Sequence, residues 1–337
     1  MSRLVGPLAL LLFLFLLLLT SALFAQTSID DVHITPREPH QPNITDTTAK
    51  EHAGLDSGIR LIRADVNLVM VPVTITDNLN RPVTGLDRDN FELFEDKKPQ
   101  EIKNFSSEDT PVSVGLIVDT SGSMINKMDK VREAVHQFCE AANPQDEFFM
   151  ITFSDEPQLA TDFTNDGNEV ETDLGISPPR GRTSLLDAIY MGLRKMHDAR
   201  YQRRALLILS DGGDNHSRYS ERDVKSAVKE ADVLLYAVGT FDTYVSTQEE
   251  MLGPELLQNI TGVTGGKAFT LTNIAELPAV TRAISTQLRH QYVLAYRPQA
   301  MPKDGKWYKI NVKLRLPKRF HAFLRVDART GYYASAR

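Results

Sequence analysis

From Val112 onward, continuous apolar runs of strand length alternate with stretches of helical period. "VSVGLIVD", "DEFFMITFS", "RALLILSD" and "DVLLYAVGTF" have almost no polar interruption, as strands buried on both faces require. Between and after them, "KMDKVREAVHQFCEAA", "SLLDAIYMGLRKMHDA", "SERDVKSAVKEA", "MLGPELLQNITG" and "LPAVTRAISTQLRHQYV" carry apolar residues at intervals of three and four, the spacing of one helix face. Strands joined by helix-length connections predict an α/β fold, a doubly wound and mostly parallel sheet covered on both sides. Ligands in such sheets sit at the carboxyl ends of the strands, near the point where strand order reverses.

The flanks follow a different rhythm. In "IRADVNLVMVPVTITD" the apolar set shifts from Val66, Leu68 and Met70 to Val69, Val71, Val73 and Ile75, which suggests a bulge or a strand buried on both sides. Pro72 argues for an edge position at that point, because it has no N–H to give a neighbour. "NFELFEDKKPQEIKNFS" reads as two short strands around a turn at Asp96 to Pro99. After Tyr292 the pattern returns to period two in "YVLAYRP", "WYKINVKLRLP", "HAFLRVDA" and "GYYA". Two β segments, 59–110 and 291–337, each too small for a good core, are expected to pair as a small β-sandwich with an α/β domain, 111–290, inserted between them.

The N-terminus adds a location. Arg3 precedes "LALLLFLFLLLLTSALFA", an apolar run ending in small residues, so residues 1–25 read as an export signal cut after Ala25 or as an uncleaved anchor. Residues 26–58, rich in Pro, Thr, Asp and His, read as a flexible linker. The expected location is secreted or periplasmic, with membrane attachment only through an uncleaved N-terminal segment. The net charge of -6 has the wrong sign for nucleic acid or an anionic membrane surface. The single cysteine, Cys139, permits no internal disulfide and lies on the apolar period of its helix, so it is expected to be a packed thiol.

The chemistry gathers at predicted strand ends. Asp119, Ser121 and Ser123 stand at alternate positions where one strand surfaces in "DTSGSM"; Thr183 opens a helix in "GRTSLLDA"; Asp211 ends a strand in "LSDGGDN". Hydroxyls and carboxylates are hard ligands suited to Mg²⁺, Mn²⁺ or Ca²⁺, and these loops lack the soft ligands that favour zinc or copper. So few formal charges would leave the ion an open, electrophilic position that a partner's carboxylate could complete. The competing reading makes Asp119, Ser121 or Ser123 a helix cap, and Thr183 or Ser184 with Asp187 a capping box. Asp187 is assigned mainly to hydrogen bonding at its helix start, and Asp214 and His216 to a solvated or ligand-rim role. Gly212 and Gly213 fit a tight turn near the site.

The three motifs, in this order and in these strand contexts, resemble the metal-ion-dependent adhesion site of von Willebrand factor type A domains, whose fold is Rossmann-like. "DTSGSM" matches the DxSxS element, "GRTSLLDAI" the threonine loop and "LSDGGDN" the third loop, over about residues 111–290. "ITGVTGGKAF", a helix and "QYVLAYRP" are similar to bacterial secreted members with a short β segment on either side. The resemblance implies Ser121, Ser123 and Thr183 as direct ligands of the ion, with Asp119 and Asp211 acting directly or through water. Integrin β-type domains carry further acidic residues just after DxSxS for a second ion; here "MINKMDK" follows, so one ion is expected.

An adhesion or protein-interaction module that binds an acidic ligand group is therefore expected. A scaffold component of a cell-envelope complex with a structural metal is the alternative. An enzyme is not expected. Phosphotransferases of the haloacid dehalogenase type also end a first strand in Asp, but need a second carboxylate two residues on, where Ser121 stands. Neither GxSxG nor a phosphate-cradling GxxxxGK[ST] occurs.

Overall fold

In the computed structural model the chain is described at residues 68–175, 179–241, 248–298, 304–317 and 323–334, all within one compact unit. The expected export segment and linker, 1–58, lie outside the described residues. Four strands come first: β1 (Val69–Asp77), β2 (Phe91–Glu95), β3 (Lys98–Gln100) and β4 (Ile102–Ser106). The α/β part comprises β5 (Ser113–Asp119), α1 (Met128–Ala141), β6 (Glu147–Phe153), β7 (Pro157–Thr164), α2 (Gly167–Leu174), α3 (Leu185–Lys195), β8 (Arg204–Ser210), α4 (Glu221–Glu230), β9 (Leu234–Thr240), α5 (Gln248–Thr261), β10 (Ala268–Leu271) and α6 (Leu277–Arg289). The chain closes with β11 (Tyr292–Tyr296), β12 (Trp307–Leu314), β13 (Leu324–Ala328) and β14 (Gly331–Tyr333).

The central sheet has the order β10-β9-β8-β5-β6-β7. It is parallel except for β7, which pairs antiparallel with β6 at the edge. Every residue of β5 is buried. Its alternation sends Val114, Leu116 and Val118 toward α1 and α6, and Ile117 toward α3, α4 and α5, so each face has its own core. On α1 the buried Val131, Ala134, Val135 and Phe138 form the inner stripe. Truncating Phe138, whose ring meets Phe148 edge-on, would cost about 3–5 kcal/mol. The segment "PQLATDFT" did not read as a strand, because an edge strand with one covered face keeps polar residues at most of its positions.

Two antiparallel four-stranded sheets stand beside this domain, β13-β1-β11-β4 and β14-β12-β2-β3. Val71, Val73, Ile75, Tyr292, Leu294 and Tyr296 of one sheet share a core with Phe91, Leu93, Ile310 and Val312 of the other. β1 is buried on both sides from Val73 to Thr76, where Thr74 and Thr76 are nearly as enclosed as Val73 and Ile75. Pro72 has a ladder partner on the β11 side only, since pairing with β13 begins at Val73; the missing N–H therefore costs no hydrogen bond. The stretch read as two strands is three. β2 turns at Asp96 and Lys97, both at positive φ, and the returning arm breaks at Glu101 so that β3 stays with β2 while β4 joins β11 in the other sheet.

The two parts meet closely. Gln291 Nε2 donates to Thr74 Oγ1 at 3.0 Å, and Gln287 Nε2 to the Asn80 carbonyl at 2.9 Å. Arg329 pairs with Asp232 at 2.5 Å. Gly265, at φ +87°, lies so near the β13 backbone that a Cβ would sit 2.4 Å from the Ala328 carbonyl carbon. Among the described residues no helix is long and apolar enough to cross a membrane.

Candidate functional site

Strand order reverses between β5 and β8, and the carboxyl ends of these strands carry Asp119 and Ser210, with Asp211 next. Hydrogen bonds close the three loops found there into a ring. Ser210 Oγ donates to Asp119 Oδ2 at 2.6 Å, joining the third loop to the first. Gly122 N donates to the Gly181 carbonyl at 3.1 Å and Arg180 N to the Thr120 carbonyl at 2.9 Å, joining the first to the second. Thr183 N donates to Asn215 Oδ1, and the N–H groups of Asn215 and His216 return to the Thr183 carbonyl, all at 3.1 Å, joining the second to the third. Gly212, at φ +80°, makes the sharp turn after Asp211; Gly213 has no positive φ.

Each oxygen residue named from the sequence lies in this ring. Asp119 is fully enclosed, Ser121 nearly so, and Asp211 and Thr183 are buried. Asp119 Oδ1 accepts the Ser121 N–H at 2.8 Å. Burial, and then the nearby Asp211 charge, pushes the Asp119 carboxyl up to about 7, against the pull of its hydrogen bonds from Ser121 and Ser210. Ser121 Oγ and Ser123 Oγ face each other at 3.1 Å. Ser121 begins the short turn Gly122–Met124 but makes no side-chain cap bond, and Lys127, the N-cap of α1, makes none either. Asp211 receives no hydrogen bond among the described residues; Lys127 Nζ lies 3.8 Å from its Oδ2.

The capping box of the competing reading does not form at α3. Ser184 sits at the N-cap without a side-chain bond. The cap comes from another loop, as Asp214 Oδ1 accepts the Leu186 N–H at 3.3 Å and a bond from the Ser217 hydroxyl. Asp214 is thus a tie between loops rather than a solvated rim residue, and burial holds its carboxyl above the usual range. Asp187 likewise does not serve its own helix start. It accepts the N–H groups of Arg218 at 2.8 Å and Tyr219 at 3.0 Å. Asn215, which fixes Thr183 from both sides, carried no sequence signal beyond its place in a Gly-rich loop.

Two carboxylates and three hydroxyls thus gather at the switch point. They could hold a hard divalent cation; among the described residues no three His, Cys, Asp or Glu side chains form a metal-binding cluster, because three of these five donors are hydroxyls. All five lie within residues 114–213, which match the family model of the von Willebrand factor type A domain. This stretch is a von Willebrand factor type A domain. It belongs to a family of protein-interaction and adhesion modules.

Inter-alpha-trypsin inhibitor heavy chain H4 of Bos taurus is 25% identical over 158 residues, 42% of this chain and 17% of that protein. The Homo sapiens protein of that name is 25% identical over 134 residues, 36% of this chain and 14% of its own length. The chain thus spans less than a fifth of these relatives. Among solved structures, a von Willebrand factor type A protein from Catenulispora acidiphila superposes with a TM-score of 0.48 at 12% identity, covering 81% of this chain and 75% of that one. BatB from Bacteroides thetaiotaomicron gives 0.42 at 17% identity, covering 52% and 98%.

Proposed function

We propose that the protein is an exported, non-enzymatic interaction module that holds one Mg²⁺, Mn²⁺ or Ca²⁺ ion through Ser121, Ser123 and Thr183, with Asp119 and Asp211 supplying charge. When bound, the ion supplies a Lewis-acidic point for a carboxylate of a protein partner. The observation that carries this reading is the state of Asp211, a carboxylate 4% exposed, with no hydrogen-bond donor among the described residues, near enough to the buried Asp119 carboxylate to raise its pKa. Two desolvated carboxylates lie near each other with one ammonium, Lys127, beside Asp211, so the pair keeps a net negative charge that a bound cation would offset. Thr183 fits the same role, since its backbone is fixed on both sides by Asn215 while its hydroxyl makes no hydrogen bond among the described residues.

The chain's residues suit holding better than transforming. Asp119 is sealed from solvent with both oxygens hydrogen-bonded, which does not suit a nucleophile, and Ser121 stands where a phosphotransferase places its acid. The apolar N-terminal run supports export.

Chelator-treated protein is expected to melt progressively higher as Mg²⁺, Mn²⁺ or Ca²⁺ is added, by about 2.7 kcal/mol at a hundredfold excess over Kd. Asp119→Ala should abolish the response. Thr183→Ala should lose partner capture from the native envelope while keeping its fold. If none of the three ions moves the melting temperature, the metal reading is wrong.

A further inference from the structure

Lys127 stands where local rules disfavour a lysine. It is the N-cap of α1, a position that favours Ser, Thr, Asp or Asn, and its side chain makes no cap bond. Its positive charge lies at the positive end of the helix dipole. It is also 9% exposed, although an ammonium loses its hydration there. Residues that break several local preferences at once cluster at functional sites.

What the lysine gains is the oxygen site. Its backbone starts the helix, with its carbonyl accepting from Lys130 N at 3.0 Å and Val131 N at 3.1 Å, while its side chain crosses to the ends of β8 and β9. Nζ lies 3.8 Å from Asp211 Oδ2 and donates to the Thr240 carbonyl at 3.4 Å. A cavity of about 390 Å³ adjoins it, lined also by Ser123, Asn126, Thr240, Phe241 and Asn273. Thr240, one of these lining residues, also carries a buried hydroxyl that lacks a hydrogen-bond partner among the described residues. The ammonium therefore has both a carboxylate to neutralise and a polar space into which it can withdraw.

We infer that Lys127 is the resident cation of the metal-free site: its ammonium balances Asp211, keeps the domain folded without metal, and weakens divalent-ion binding by competing for the same carboxylate. The inference rests on the metal reading above. Opposite charges this close in a partly desolvated site attract strongly, and a divalent ion arriving beside Asp211 must displace the ammonium or bear its repulsion. A lysine suits this use because its single charge rides on a flexible stem.

Calorimetric titration of Mn²⁺ into chelator-treated protein tests it, together with metal-free melting curves, for wild type, Lys127→Met and Lys127→Arg. The Met variant is expected to bind Mn²⁺ at least tenfold more tightly and to melt lower without metal. The Arg variant, which keeps the charge, should stay within about threefold of wild-type affinity, as expected if charge rather than shape sets competition. A Met variant that folds only when Mn²⁺ is supplied supports the inference; if it folds in neither condition the Arg variant decides, since a tenfold gain there excludes charge as the cause. Equal Mn²⁺ affinity in wild type and the Met variant overturns this inference and leaves the metal reading standing. No binding by any of the three overturns both.

Discussion

Two buried serines in the site loops offer a matched test of how the ring is held together. Ser210 Oγ donates to Asp119 Oδ2 at 2.6 Å and accepts the Gly212 N–H at 3.0 Å. Ser184 Oγ, equally buried, has no hydrogen-bond partner among the described residues. Replacing Ser210 by Ala removes one bond to a carboxylate, about 1.5–3 kcal/mol, and one neutral bond, about 0.5–1.5 kcal/mol; the stability loss should be about 2–4 kcal/mol. At about 2–4 °C per kcal/mol for a chain segment of this size, the melting temperature should fall by about 4–16 °C. Ser184→Ala deletes a hydroxyl that is desolvated without compensation, and its backbone N–H still reaches the Ser154 carbonyl at 2.9 Å. It should be neutral or stabilising by up to about 1 kcal/mol. Thermal and urea unfolding followed by circular dichroism, with chelator present, measures both. A loss below about 0.5 kcal/mol for Ser210→Ala, or equal losses for the two variants, would refute the reasoning.

Two further outcomes are expected. Gly265→Ala forces a side chain onto the Ala328 backbone at a positive φ and should destabilise by at least about 3 kcal/mol in urea titration, while Gly85→Ala, at a positive φ but with open space around it, should cost only the backbone strain of about 1–2 kcal/mol. Burial, and then the Glu171 charge, pushes the Cys139 thiol up to about 12 from 9.0, so at pH 8 it holds about a thousandfold less thiolate than an ordinary thiol. Iodoacetamide should accordingly label the half-buried Cys139 far more slowly in the native protein than on unfolding, and native labelling at the rate of a free thiol would contradict the packing.

What could be read from the sequence was what burial writes in continuous runs. β5, β6, β8 and β9 are enclosed on both faces, so their apolar letters are uninterrupted, and the oxygen residues at their ends could be located at once. β7 and α2 were not legible, because β7 fully buries one residue and that a threonine, while the eight-residue α2 turns only Val170 and Leu174 inward. The ties between loops were not legible either. Asp214, Asn215 and Asp187 are polar residues in polar stretches, and their roles depend on partners about 30 residues away in the chain. Lys127 was hidden for a related reason: its position marks it as a poor helix start, and only the fold shows the carboxylate it was placed to meet.

The ladder formed by β1, β11 and β4 has a mechanical meaning. β4 leads into the inserted domain, β11 leaves it, and the two pair directly, with β1 on the other side of β11. Only His290 and Gln291 separate the end of α6 from β11. Sliding α6 along its axis by one turn, about 5.4 Å, would have to shear β11 out of register with both neighbours, because two residues provide so little slack. The last helix is thus a rod bolted to a frame, and force applied to either flank of the chain is borne by the sheet before it reaches the loops at the opposite end of the strands.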